Sequence, residues 1–98
     1  MYRQGDVLLK PHPIPIDSKK VIEQPIVLAW GEITGHKHQI EEKATELLEY
    51  EGVRYLRVPT EGAKLKHEEH GTIALAPGEY RIVTQREYTP KAIVNVLD

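Results

Sequence analysis

Glycine and proline punctuate this chain at intervals that suit short strands. Seven Gly and seven Pro are spread over 98 residues. Pro11, Pro13 and Pro15 alternate with His12 and Ile14. Such a stretch cannot be helix or central strand, because each Pro removes a backbone donor and fixes φ. We read it as an extended edge or loop running to Lys20. Phe is absent while Tyr occurs five times. The core must therefore come from Val, Ile, Leu and Tyr, which suits strands.

The expected strands are Gly5 to Lys10, then Val21 to Trp30, interrupted by Pro25 and read as an irregular edge strand leading into a better one, Ile26 to Trp30. Glu41 to Glu49 has a helical composition. However, Leu47 to Tyr50 and Val53 to Val58 flank Glu51-Gly52, which reads as a hairpin with Gly52 at positive φ. Thr72 to Ala76, Glu79 to Arg86 and Ala92 to Leu97 complete the set, with Pro77-Gly78 as a type II turn. Tyr80 and Ile82 share one face of their strand. Strands recurring every 8–12 residues or so predict a mostly β, single domain over 1–98 with about seven or eight strands, barrel-like or sandwich. A thin core and open edges favour an intertwined homodimer.

Composition closes several routes. With 13 Lys plus Arg against 15 Asp plus Glu, the formal charge is −2, which disfavours a surface for long nucleic acid. There is no Cys, so thiolate chemistry and Cys-ligated zinc are out. No apolar run approaches the ~20 residues of a membrane span, and the start is too polar for a signal peptide. We expect a cytoplasmic protein with no membrane partner.

The candidate chemistry lies in histidine. Four of the five sit in two groups, His36-Lys37-His38 and His67-Glu68-Glu69-His70. On a strand, His36 and His38 point to the same face. His67 and His70 share a face only on a turn. Imidazoles titrate near neutrality, so paired rings can supply a general base and a general acid. Lys37, Lys64, Lys66 and Arg86 supply charge for a phosphate, Tyr88 a phenol, and Gly35 beside Thr34 an amide. No Ser or Cys nucleophile stands in a recognisable motif. Histidines plus basic donors then suit RNA-type transesterification, with the 2′-hydroxyl as nucleophile and no cofactor. The same rings could instead ligate a divalent metal with Glu41, Glu42, Glu68 or Glu69. A third possibility is a non-catalytic module that binds another protein.

Two resemblances sharpen these alternatives. Gly31 to Glu42 resembles the first cupin motif, a Gly followed by His-x-His and Glu. The spacing from Gly31 to His36 is one residue short, and no His follows the Pro77-Gly78 turn. The combination RQGDVLL, GEITGHKH, HEEHGTIALAPGEY and QREY resembles the CRISPR-associated ring nucleases, very small bacterial and phage proteins. That resemblance implies a dimeric enzyme degrading cyclic oligoadenylate through a few essential histidines and a phosphate pocket. Matched here, they are His36, His38 and His67 or His70, supported by Arg86 and Tyr88.

Overall fold

The computed structural model describes residues 1–30 and 36–84. Among these residues it is all β, with ten strands rather than the expected seven or eight. They are β1 (Tyr2–Gln4), β2 (Val7–Pro11), β3 (Lys19–Val21), β4 (Ile26–Trp30), β5 (Lys37–Ile40), β6 (Glu46–Tyr50), β7 (Val53–Val58), β8 (Ala63–Lys66), β9 (Ile73–Leu75) and β10 (Gly78–Thr84). A six-stranded sheet has the order β1-β2-β10-β7-β6-β3, and a four-stranded sheet has the order β4-β5-β8-β9. All the pairings are antiparallel. The arrangement is sandwich-like, not a closed barrel.

Alternation builds the core. Val7 and Leu9 of β2, Ile82 of β10, Leu56 and Val58 of β7, and Leu47 of β6 point inward from the larger sheet. Ile26, Leu28, Ile40, Leu65 and Leu75 meet them from the smaller one. Each of these side chains is at most 3% exposed. Arg54 of β7 ties the sheets together, donating to the carbonyls of Val27 and Leu28. Those carbonyls lie where the β4–β5 register slips between Val27 and Ala29, a bulge that turns backbone acceptors out of the ladder.

Several expected boundaries move. The strand expected at Gly5 to Lys10 runs from Val7 to Pro11, and a further strand, Tyr2–Gln4, precedes a turn at Gly5-Asp6, with Gly5 at φ 60°. Pro11 closes β2 opposite Tyr80, beyond the residues that β1 covers, so its missing N–H leaves no gap in a ladder. The better strand expected at Ile26 to Trp30 forms as β4, but the irregular part before it does not share its sheet, because β3 pairs with β6 while β4 pairs with β5. The hairpin at Glu51-Gly52 forms, with φ of 50° and 80° at its two central residues, the primed turn that matches strand twist. Pro77-Gly78 is not a type II turn. Gly78 has φ 147°, and the segment carries the chain from β9 in one sheet to β10 in the other. Tyr2 and Tyr80 pack there at 5.8 Å, the Tyr80 hydroxyl donating to Ala76 O and Tyr2 Oη accepting from Ala76 N. The strand expected at Ala92 to Leu97 lies outside the described residues.

A candidate histidine centre

Four imidazoles meet at one end of the smaller sheet. His36 precedes β5 and His38 is its second residue, while His67 and His70 bracket the turn after β8. His67 is the hub. Its ring centroid lies 5.6 Å from His36, 4.3 Å from His38 and 4.5 Å from His70. His38 and His70 stack at 5.9 Å. The fifth histidine, His12, stands apart against Tyr55.

The turn forms because His67 caps it with its own ring. The backbone N–H groups of Glu69 and His70 donate to His67 Nδ1 at 3.0 and 3.2 Å. An atom accepting two N–H donors carries no proton, so neutral His67 bears its hydrogen on Nε2. Burial, and then repulsion from His70, hold its pKa below the ordinary imidazole value. Glu68 locks the turn to β5 by accepting from the Lys37 backbone N–H at 2.9 Å, and that bond lowers its own pKa.

His38 is 4% exposed and is held from both sides. Gln4 Nε2 donates to Leu65 O and Gly71 O, which can only accept. The Gln4 oxygen must then face His38 Nδ1, 2.8 Å away, so Nδ1 donates. The other nitrogen, Nε2, lies 3.5 Å from Asp6 Oδ1. His38 is thus a buried anchor against which the rings of His67 and His70 pack, less accessible than the other three.

Gly5 makes this approach possible. A Cβ there would stand 2.9 Å from His70 Nε2 and 3.2 Å from His38 Cε1. The outer rings differ from the anchor. His36 is partly exposed, with Nδ1 3.4 Å from Glu69 Oε1, an ion-pair distance longer than a well-formed hydrogen bond. His70 is exposed at the rim.

Of the expected phosphate ligands, Lys37 and Lys66 border an open depression of about 200 Å³, beside Gln39, His67 and Glu68. Lys66 pairs with Glu41 at 3.1 Å, so Glu41 is turned to that lysine instead of the rings. Lys64 is exposed on β8. Arg86, Tyr88, Thr34 and Gly35 lie outside the described residues. Sequence reasoning missed Gln4, Gly5 and Asp6 as site residues. The available signal was a Gly between polar neighbours just ahead of an apolar run.

A metal could be considered at His36, His67 and Glu68, whose potential ligand atoms lie within 4.8 Å of one another. The hydrogen bonding of His67 fits poorly. With Nδ1 accepting two backbone donors, ligation through Nε2 would require loss of the ring's last proton.

Among the described residues no helix is long and apolar enough to cross a membrane. Comparison with curated proteins and with solved structures gives no match. A sequence family matches over residues 3–85, from within β1 through β10. The chain belongs to DUF8820, a family defined as a domain of unknown function.

Proposed function

We propose that this chain is a ring nuclease, a phosphodiesterase that opens cyclic oligoadenylate messengers by imidazole acid–base chemistry. One observation carries the chemistry. His36 and His67 meet edge-on at 86°, with their ring centroids 5.6 Å apart. The proposal needs His36 in the tautomer whose Nε2 is the base, with Nδ1 on the side of the Glu69 carboxylate, 3.4 Å away. His67 offers Nε2–H as a donor. The cyclic substrate comes from the sequence resemblance.

The step balances without a co-reactant. His36 Nε2 takes the proton of a ribose 2′-hydroxyl, and the oxygen attacks the adjacent phosphorus. His67 Nε2–H and the ammonium groups of Lys37 and Lys66 stabilise the charge on the non-bridging oxygens. The P–O5′ bond breaks, and His70 in its imidazolium form protonates the departing 5′-oxygen. The products carry a 2′,3′-cyclic phosphate and a 5′-hydroxyl. His38, fixed by Gln4 and Asp6, positions the other rings. A homodimer in the cytoplasm completes the proposal, since a twofold assembly matches a cyclic ligand.

Incubation with cyclic oligoadenylates, with and without EDTA, tests this reading by liquid chromatography and mass spectrometry. The expected result is cleavage that survives EDTA and leaves 2′,3′-cyclic phosphate ends. A second reading, a cupin-like metal centre, draws on the proximity of His36, His67 and Glu68. It predicts cleavage abolished by EDTA. Absence of cleavage overturns the nuclease proposal.

A further inference from the structure

Trp30 is the chain's single tryptophan, yet it is 57% exposed at the end of β4. In a chain without Phe, an indole of this size left out of the core is conspicuous. Its register partner is Lys37, whose Nζ lies 5.2 Å from the ring centroid. Two residues on, Gln39 pairs with Lys66. Residues i and i+2 of a strand share a face, as do register partners, so Trp30, Lys37, Gln39 and Lys66 lie on one outer face of the smaller sheet. That face leads into the depression bordered by Lys37, Lys66 and His67.

We infer that Trp30 is a nucleobase platform, on which an adenine ring stacks while the flanking phosphate reaches Lys37 and Lys66. The inference deepens the reading of the histidines as a phosphodiesterase centre and rests on it for the choice of ligand. An aromatic ring on a sheet, beside ammonium groups that track a backbone, is the arrangement by which single-stranded nucleic acids are held. The neighbouring charges favour a base over an apolar peptide. An exposed greasy contact would not need an ammonium over the ring and a second lysine and an amide farther along the same face. The Lys37 ammonium over the indole is a cation–π contact at an exposed site, which an incoming base exchanges for a phosphate contact. The Lys66–Glu41 pair is likewise exposed and weak enough to yield to a phosphate.

Because Trp30 is the only tryptophan, its emission reports this place alone. The full chain is titrated with linear all-2′-deoxy tetra-adenylate, which lacks the attacking hydroxyl and cannot react. A parallel titration uses the abasic tetranucleotide of the same charge. Quenching by the adenylate, with binding at least about tenfold weaker for the abasic strand, is expected. Equal binding of the two strands, or no quenching, overturns the platform. So does stronger quenching by an acidic peptide of matched charge. In cleavage assays Trp30→Ala raises KM by about tenfold and Trp30→Phe restores most of it. The two readings fail separately. Quenching without cleavage keeps the platform and removes the nuclease, whereas cleavage without quenching does the reverse.

Discussion

Gln4 and His38 lie 34 residues apart and on different sheets, yet their side chains share a 2.8 Å hydrogen bond in the interior. The Gln4 amide also reaches Leu65 O and Gly71 O, so one side chain joins β1, β5, the end of β8 and the segment before β9. All of its strong partners are fixed.

Replacing Gln4 by Met keeps the volume and removes these bonds. A buried imidazole N–H and two carbonyls then lose their partner, which costs about 1–3 kcal/mol for each group left unsatisfied. With three groups affected, urea denaturation of Gln4→Met is expected to show a loss of about 3 kcal/mol or more. Any cleavage activity falls with it, because the outer rings lose their anchor.

Gly5→Ala combines two penalties. The residue sits at φ 60°, which costs a non-glycine about 1–2 kcal/mol. Its new methyl meets His70 Nε2 and His38 Cε1. In a His70→Ala background the closest clash disappears, so the damage from Gly5→Ala is smaller there. A double-mutant cycle of unfolding free energies reads this coupling directly.

His67 makes stability depend on pH. Its folded pKa lies below the ordinary value of 6.5, through burial first and His70 second. The unfolded chain therefore takes up this proton more readily. The contribution is complete above pH 6.5 and is lost as pH falls from there through the depressed folded value. Urea melts at pH 7.5 and pH 5.5 are expected to differ less for His67→Asn than for the parent.

His36→Ala, His67→Ala and His70→Ala each remove a group assigned to the chemical step. Single-turnover cleavage is expected to drop by about 100-fold or more in each. The parent rate follows a bell-shaped pH profile, since His36 must be neutral while His70 is protonated. Loss of one limb in His70→Ala supports the assignment, and an unchanged rate in any of the three removes that residue from the mechanism.

The β class was readable because strand alternation and glycine turns are local. The Glu51-Gly52 hairpin needs only its own residues to form. The splitting of Val21–Trp30 between sheets was not readable, since partner choice depends on residues far away in the chain. The two histidine groups were visible as chemistry, and the structure brings them together. Their separate roles were not visible, because His36 and His38 differ in burial, not in identity. Gln4, Gly5 and Asp6 went unrecognised for the same reason. Nothing local marks a glutamine that becomes the partner of a histidine on another sheet. Trp30 lies in an expected strand, and its exposure goes with a place on β4, the edge of the smaller sheet among the described residues.

The site draws on residues 4–6, 36–38 and 67–70, and the Gln4 amide closes loops of 61 and 67 residues. A chain still emerging from the ribosome already carries His36 and His38 but has nothing for them to act with. Only when the segment through Gly71 is synthesised and β8 has docked does the ring assembly exist. The ring assembly is therefore absent from any nascent chain that stops short of Gly71.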